Sequence, residues 1–296
     1  MVELEGKLIE NSVPFGAVNY DQYDPKYLKN WGDYVDTRGE KEVVRKLITA
    51  SEHNILIEGD KGTGKTQLIH TICREEKIPL FEMSCGSGMN KGDLIGRPQI
   101  NEHGSYFELG YIPLAFSVAN HFKRSVFYID EPNVLDHEIQ KWFNRPLDKR
   151  RSIWANGRLF QLDEGVKMSI VATINPVHYA GVNTLTEDLR SRFIGRVISY
   201  PTQAELGRII DWTDIPIETV KNPLLTLVDE VHSLRMKHEV EYVLSPRDID
   251  QFCSVFRSLQ GDLEDTLESC FLIKFNDSTE REQVKLRMNE IFGVDI

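Results

Sequence analysis

The pattern of apolar positions in the first two thirds of this chain predicts an α/β fold. Five short, partly β-branched apolar runs occur there: Asn54–Glu58, Ile78–Met83, Ser125–Asp130, Met168–Ile174 and Arg196–Tyr200. Helical patterns separate them, at Lys65–Glu75, Ile112–Phe122 and Val134–Asn144. Near-continuous apolar strands that alternate with helices are typical of a parallel sheet covered on both faces. We therefore predict a parallel five-stranded sheet.

After Pro201 the apolar pattern becomes wholly helical. The expected helices are Glu205–Trp212, Pro223–Lys237, Pro246–Leu259, Leu263–Ile273 and a stretch near Arg281–Ile291. Ser245 precedes a proline at the first helical position and Asp248 at the third, which is the pattern of a helix start. These patterns divide the chain into an N-terminal arm at 1–37, an α/β domain at 38–203 and a helical lid domain at 204–296.

The arm has no clear periodicity and is rich in aromatic residues. They are Phe15, Tyr20, Tyr23, Tyr27, Trp31 and Tyr34. We expect them to pack across the surface of the core, and docking of a partner is the alternative. A helix is expected at 38–50, where Val43, Val44, Leu47 and Ile48 form one stripe.

Two hairpins are predicted before and after the third strand. The first lies at Arg97–Leu109, with turn residues at 101–104. The second lies at Ser152–Leu162, where Asn156-Gly157 separates two apolar runs. Loops carried on a rigid sheet are common sites of partner contacts.

Composition is that of an ordinary globular protein, with 41% hydrophobic and 27% charged residues. The first residues lack a signal-peptide pattern and no apolar run reaches the length of a membrane span, so we expect a cytoplasmic protein. The four cysteines contain no C-x-x-C pair, so neither a disulfide framework nor a zinc site is indicated.

Charge is unevenly distributed. The formal net charge is −11, and residues 204–296 carry 10 Lys and Arg against 19 Asp and Glu. This balance disfavours non-specific attraction to nucleic acid. The acidic part suits a basic protein partner, and a solvated helical surface is the simpler interpretation.

A glycine-rich turn between the first strand and the following helix carries the clearest chemical signal. Gly59, Gly64, Lys65 and Thr66 match G-x-x-x-x-G-K-[ST], in which backbone N–H groups surround phosphates, the lysine reaches the β- and γ-phosphates and the hydroxyl binds Mg²⁺. We assign ATP binding to this loop, at Gly59, Asp60, Lys61, Gly62, Thr63, Gly64, Lys65, Thr66 and Gln67.

Two adjacent acids end the third strand. Asp130 would hold Mg²⁺ with Thr66, and Glu131 would orient and deprotonate an attacking water. The alternative is that these acids only cap the helix expected near Pro132. Asn175 ends another apolar strand and is a candidate to hydrogen-bond the water or the γ-phosphate, although asparagine also ends strands merely to begin turns.

Other candidate residues are more ambiguous. Arg190, Arg192 and Arg196 lie before the last strand, and the guanidinium fork suits phosphoryl oxygens. Asn90-Lys91-Gly92-Asp93 matches the N-K-x-D string of GTPases, but it precedes the acidic pair in an expected loop. That position disfavours guanine recognition.

The order of these motifs resembles AAA+ ATPases, and more narrowly the MoxR-type branch that includes CbbQ, NorQ and GvpN. The resemblance covers about residues 38–260. Its motifs are Gly59–Thr66 as Walker A, Gly92–Gly96, Pro113-Leu114-Ala115, Asp130-Glu131 as Walker B, Ala172–Asn175 as sensor 1, Leu189–Phe193 as the arginine-finger segment and Leu244–Arg247 as sensor 2.

The resemblance implies a homo-oligomeric ring, usually a hexamer, with ATP and Mg²⁺ at the subunit interfaces. It implies that Arg192 reaches the nucleotide of the neighbouring subunit, with Arg190 as the second candidate. Arg247 would contact the γ-phosphate in its own subunit. The two hairpins resemble insertions with which such rings engage their targets. The implied catalytic set is Glu131, Lys65, Asn175, Arg192, Arg190 and Arg247.

We expect an ATPase that remodels, activates or assembles a target protein, in this family often with a von Willebrand A domain partner. The alternatives are a P-loop small-molecule kinase, a nucleic-acid motor and a non-enzymatic nucleotide switch. The acidic lid region disfavours the kinase. A basic group at Lys149-Arg150-Arg151 and Arg158 keeps the nucleic-acid motor open, although the acidic total makes nucleic acid an unexpected partner.

Overall fold

The computed structural model describes residues 15–28, 30, 32–176 and 183–296, and it divides into two compact units. The N-terminal unit ends at Ile198 and the C-terminal unit continues from Ser199, with the short segment Lys61–Thr63 grouped with the second unit. Within the described ranges, no helix is both long enough and apolar enough to cross a membrane.

A parallel sheet of five strands forms the centre of the N-terminal unit. Its strands are β1 (Asn54–Gly59), β2 (Leu80–Ser84), β5 (Arg124–Asp130), β8 (Lys167–Ile174) and β9 (Phe193–Ile198). Their order across the sheet is β2-β5-β8-β1-β9, and every neighbouring pair is parallel. The predicted five-stranded parallel sheet is confirmed.

Side chains alternate between two apolar clusters on opposite faces of this sheet. On β5, Val126 and Tyr128 pack with one cluster, whereas Phe127 and Ile129 pack with the other. Successive side chains of a strand point to opposite faces, so a strand covered on both sides is apolar throughout. This explains the continuous apolar runs in the sequence.

The last strand starts and ends earlier than the sequence predicts. We expected Arg196–Tyr200, but β9 pairs with β1 from Asn54↔Phe193 to Gly59↔Ile198. Gly195 permits the close approach of the two strands, since a Cβ atom there would lie 2.7 Å from the carbonyl oxygen of Leu56. Gly195 and Arg196 interrupt the apolar run, so the apolar pattern does not predict the first half of the strand.

Both predicted hairpins are present as antiparallel pairs. The first consists of β3 (Gly96–Asn101) and β4 (Gly104–Leu109), and the second of β6 (Ser152–Ala155) and β7 (Arg158–Gln161). In the second turn Asn156 and Gly157 both have positive φ, at 45° and 74°. This geometry matches a type I′ turn, for which Asn-Gly is the preferred pair.

Helices of the N-terminal unit flank the sheet or connect its strands. They are α1 (Glu40–Ala50), α2 (Lys65–Glu75), α3 (Lys91–Ile95), α4 (Tyr111–Phe122), α5 (His137–Gln140), α6 (Asn144–Leu147) and α7 (Glu187–Arg190).

The single helix predicted at Val134–Asn144 is wrong. The chain instead forms a 3₁₀ turn at Pro132–Val134, becomes extended at Leu135 and Asp136, and only then enters α5. Asp136 has the extended backbone of an N-cap position, which aspartate favours over helix interiors. The apolar stripe continues through the interruption, so periodicity alone does not reveal it.

The C-terminal unit is helical, as predicted. Its elements are α8 (Gln203–Ile209), a π-helical turn (Ile217–Lys221), α9 (Asn222–Met236), α10 (Pro246–Ser258), α11 (Leu263–Cys270) and α12 (Ser278–Phe292). Ser245 and Asp248 form a capping box at the start of α10. Phe252 of α10 stacks on Phe271 in the core of the unit, with ring centroids 5.2 Å apart.

The described part of the N-terminal arm packs on the N-terminal unit. The ring of Phe15 makes edge contacts with Phe107 of β4 and Phe160 of β7, with centroids 5.8 and 5.4 Å apart. The backbone N–H of Gly16 donates to the Phe107 carbonyl over 3.1 Å, and Tyr20 stacks on His121. This packing agrees with the first interpretation of the arm. Residues 1–14 and Trp31 lie outside the described residues.

Candidate active site

The glycine-rich loop connects β1 to α2 at the carboxyl edge of the sheet. Gly62 and Gly64 have φ angles of 77° and 84°, in the left-handed region that glycine enters without steric cost. Gly64 is the N-cap of α2, so the first N–H groups of an 11-residue helix face the loop. Loop amides next to a helix N-terminus are an arrangement that typically binds phosphate.

Lys65 is buried at the start of α2 and its ammonium group is fully engaged. It donates to the carbonyl oxygens of Gly59 and Asp60 over 2.7 and 2.8 Å, and to Oδ1 of Asn175 over 2.9 Å. An ammonium has three protons, so these three bonds use all of them. A phosphate that binds Lys65 must therefore replace at least one of these acceptors.

Asn175 connects the lysine with the acidic pair. Its Nδ2 atom donates to Oε1 of Glu131, while its Oδ1 atom accepts from Lys65. The residue follows β8 and is only 3% exposed. Because both ends of the amide are bonded, the side chain is fixed between the loop and the acid.

Glu131 is placed by an unusual backbone conformation. It lies in the left-handed region, with φ of 54°, and its N–H donates to the carbonyl of Thr173 over 2.9 Å. A non-glycine residue in this region carries strain of the kind found at functional sites. The turn directs the carboxylate toward Asn175 as the chain leaves the sheet.

Asp130 ends β5 and accepts two hydrogen bonds on one oxygen. The hydroxyl of Tyr128 donates to Oδ1 over 2.8 Å, and the hydroxyl of Thr173 donates to the same atom. Tyr128 also lies 3.0 Å from the hydroxyl of Thr66. The two side chains expected to hold Mg²⁺ are thus joined through one tyrosine. Their hydroxyl and carboxylate oxygens are the hard donors that Mg²⁺ prefers.

The importance of Tyr128 is not evident from the apolar pattern, which counts it as a core residue. Its side chain is completely buried on the face of the sheet that α2 covers. Burial and the nearby Asp130 carboxylate raise the pKa of its hydroxyl, which stays protonated as a donor. The available signal is its position two residues before Asp130, because alternate residues of a strand share a face.

Curated proteins with related sequences cover most of the chain. The denitrification regulatory protein NirQ of Pseudomonas aeruginosa is 25% identical over 217 residues, which are 73% of this chain and 79% of NirQ. NorQ of Paracoccus denitrificans is 22% identical over 58% of this chain and 62% of its own length. An uncharacterised protein of Staphylococcus saprophyticus is 26% identical over 73% of this chain and 84% of its own length.

A family model locates the domain within the fold. Residues 54–193, from the first residue of β1 to the first residue of β9, match the AAA domain of the dynein-related subfamily. This chain therefore contains a MoxR-like AAA domain. An AAA domain binds nucleotide, so the loop after β1, the acids after β5 and Asn175 after β8 lie within a domain of the matching activity.

The two candidate finger arginines of this AAA+ chain have acidic partners in their own N-terminal unit. Arg192 donates to Asp188 over 2.9 Å, and Arg190 donates to Glu58 over the same distance. Arg192 is the less exposed, with 26% of its side chain accessible against 54% for Arg190. Arg196 is exposed on β9. None of these contacts is with Lys65, Asn175 or Glu131.

Arg247 lies in the C-terminal unit, in the first turn of α10. Its assignment as sensor 2 stays a prediction.

Gln67 is the last residue of the assigned ATP-binding loop. Its side-chain amide lies 3.4 Å from the backbone carbonyl of Asp33 in the arm.

The string that resembles a guanine motif has a local structural use. The side chain of Asn90 accepts from the N–H of Gly92, and Asp93 accepts from the N–H of Asn90. Together they form a capping box at the start of α3. The motif therefore lies at a helix start rather than in the loop that we expected.

Proposed function

We propose that this AAA+ ATPase hydrolyses ATP in a homo-oligomeric ring, with Mg²⁺, to remodel, activate or assemble a target protein. The observation that carries the proposal is the chain of contacts from Lys65 through Asn175 to Glu131. It links the residue that binds phosphate with the residue suited to activate water. A site that only binds nucleotide has no need of a base oriented in this way.

The roles proposed for the loop, Lys65, Asn175 and Glu131 follow from their contacts, and those of Arg192 and Arg247 follow from the resemblance to AAA+ ATPases. The loop amides bind the phosphates, and Lys65 exchanges one of its present acceptors for a β- or γ-phosphate oxygen. Glu131 orients the attacking water and takes its proton, while Asn175 fixes the carboxylate. Mg²⁺, held by Thr66 and Asp130, would neutralise charge on the phosphates. Arg192 would act on the neighbouring subunit's nucleotide and Arg247 on that of its own subunit.

The kind of target is proposed from the relatives and from the two hairpins. NirQ, with which this chain shares most of its length, is described as a denitrification regulatory protein. A protein target also fits a chain whose AAA domain carries two hairpins outside the parallel sheet. A partner with a von Willebrand A domain and a hexameric ring belong to the same proposal. The cytoplasmic location stays a prediction.

Two of the four basic residues on which the nucleic-acid alternative depends, Arg150 and Arg158, make intramolecular contacts. Arg150 pairs with Asp148, and Arg158 lies over the rings of Phe15 and Phe160. Arg151 is largely enclosed, and burial lowers the pKa of its guanidinium. Arg150 and Arg158 stay exposed, but each is engaged within its own chain, and the formal net charge is −11. A protein target is therefore the better supported choice.

The first test is Glu131→Gln, which keeps the hydrogen-bonding shape and removes the base. We expect turnover to fall about 10²- to 10⁴-fold while ATP still binds. Steady-state phosphate release and equilibrium binding of ATP measure the two effects. Glu138→Gln, which makes the same charge change at an exposed site on α5, is the matched control and should retain activity.

Two outcomes would contradict the proposal. One is wild-type protein that binds ATP without releasing phosphate at any subunit concentration, which would indicate a nucleotide switch. The other is a Glu131→Gln variant with full turnover. Glu131→Gln protein that is purified from cells in the presence of ATP should retain its protein target. If nuclease-sensitive DNA is recovered in place of a protein, the nucleic-acid motor is favoured.

A further inference from the structure

We propose that Tyr128 is a positioning residue for the metal, one that orients both Thr66 and Asp130 for Mg²⁺. This inference rests on the proposed function, since it concerns the same nucleotide site. The hydroxyl of Tyr128 lies 3.0 Å from Thr66 Oγ1, 2.8 Å from Asp130 Oδ1 and 2.9 Å from Thr173 Oγ1. One buried atom thus contacts a residue on each of α2, β5 and β8.

Counting protons fixes the direction of these bonds. A carboxylate has none, so Asp130 accepts from both Tyr128 and Thr173, and each of those hydroxyls gives up its single proton. The 2.9 Å approach of the Tyr128 and Thr173 hydroxyls is then not a hydrogen bond but the consequence of both donating to the same carboxylate oxygen. The contact between Thr66 and Tyr128 must use the proton of Thr66. The Thr66 oxygen is left with its lone pairs unshared, which is the state that a metal ligand needs.

The same bonds select one oxygen of the carboxylate. The hydroxyls of Tyr128 and Thr173 both donate to the Oδ1 atom of Asp130. Within the part of the chain that the structure describes, Oδ2 has no donor and is the oxygen available for a cation or its bound water. Tyr128 therefore directs the threonine oxygen and the aspartate oxygen at once. Outer residues that orient ligands in this way typically contribute about 10- to 100-fold in metal affinity.

Replacing the tyrosine by an apolar residue would leave its ring volume in place but release both ligands. In Tyr128→Phe the proton of Thr66 has no buried acceptor at this position, and Asp130 keeps only the bond from Thr173. The Thr66 hydroxyl can then rotate and point its proton, in place of its lone pairs, toward the metal site. The loss should therefore appear in metal binding and leave the contacts of the phosphates with the loop amides unchanged.

The experiment compares binding of ADP to full-length protein in EDTA and in a Mg²⁺ titration, for wild type and Tyr128→Phe. We expect equal affinity for ADP in EDTA and a Mg²⁺ requirement that is about 10- to 100-fold higher in the variant. Thr173→Val is the companion variant, because it removes one bond to Asp130 but keeps the Thr66–Tyr128 contact. It should shift the Mg²⁺ requirement less.

Tyr242→Phe is the control for the loss of a tyrosine hydroxyl that is bonded to a carboxylate. Its phenol bonds the carboxylate of Asp248 in the C-terminal unit, so the Mg²⁺ requirement should match that of wild type. Unchanged Mg²⁺ dependence in Tyr128→Phe would overturn the inference. So would an equal loss of affinity with and without Mg²⁺, which indicates general support of the loop. Wild-type protein that binds no ADP in either condition would instead contradict the proposed function.

Discussion

Asn175 is the residue on which most of the candidate site depends. Its side-chain oxygen accepts a hydrogen bond from Lys65, and its side-chain nitrogen donates one to Glu131. An amide offers an acceptor and a donor on one short planar group, whereas a carboxylate has no donor and a hydroxyl is too short to span both partners. The choice of asparagine is therefore explained by its two partners, beyond any preference for ending strands.

Replacing Asn175 by alanine should uncouple the base from the loop. We expect turnover to fall about 10²-fold, the cost typical of one well-placed active-site hydrogen-bonding group, because Glu131 is no longer held in its productive orientation. ATP affinity should change less, since Lys65 keeps its carbonyl partners. Phosphate-release kinetics with an ATP-binding assay measure both.

Asn120→Ala is the control for this change. Asn120 also donates through its amide, to the carbonyl of Gln161 at the second hairpin. Its loss should leave turnover near the wild-type value. Equal turnover in Asn175→Ala and wild type would mean that the bridge seen here has no catalytic role.

At the scale of elements, the approach of α3 to α4 depends on one glycine. Gly110 precedes α4, and a Cβ atom there would lie 2.4 Å from the backbone carbon of Leu94 and 2.5 Å from the nitrogen of Ile95. Backbone atoms cannot move aside as a flexible side chain can. The contact fixes the first hairpin, because α3 leads directly into β3 and Gly110 directly follows β4.

Gly110→Ala should therefore destabilise the N-terminal unit by about 1–3 kcal/mol, the range expected for overpacking. Thermal unfolding followed by circular dichroism measures the change. Gly88→Ala lies in the same unit at a position where a Cβ atom meets nothing within 4 Å, and it should be nearly neutral. If the two variants melt at the same temperature, the backbones of α3 and α4 can separate at little cost.

The elements that the sequence predicts well are those with local signals. Four strands follow from continuous apolar runs and the last strand from its second half only, and the second hairpin follows from Asn156-Gly157. The start of α10 follows from its capping residues. The interruption at Leu135 could not be predicted, because the apolar stripe runs through it while the backbone conformation changes.

The site shows the same division between local and distant information. Lys65, Thr66, Asp130 and Glu131 can be predicted because their spacing within short segments is fixed by the strand-to-helix turn. Tyr128 cannot, since its role arises only when α2, β5 and β8 come together. The partners of Arg190 and Arg192 likewise come from the folded chain, and the spacing of arginines does not reveal them.

At the scale of the whole molecule, the proposed ring makes one site from two subunits. If Arg192 acts on the neighbouring subunit's nucleotide, Arg192→Ala and Glu131→Gln should each be inactive alone. Mixed together, they should recover activity, because an Arg192→Ala subunit keeps its own base and can receive the arginine of a Glu131→Gln neighbour. Phosphate release across a series of mixing ratios measures this complementation.

Arg190→Ala mixed with Glu131→Gln is the matched comparison. Arg190 pairs with Glu58 in its own unit and was the second candidate for the finger. If Arg192 is the finger, Arg190→Ala should retain turnover on its own and gain none on mixing, whereas Arg192→Ala should gain turnover only in the mixture. An absence of recovery in both mixtures, with assembly confirmed by light scattering, would show that neither arginine acts between subunits.

The placement of Phe15 makes the two hairpins thermodynamically dependent on each other. Its ring touches Phe107 in the first hairpin and Phe160 in the second, although these residues lie far apart in the sequence. A force that displaces one hairpin must therefore break a contact that the other shares. Phe15→Ala should accelerate amide hydrogen exchange in both hairpins together, and faster exchange in only one would show that they open independently.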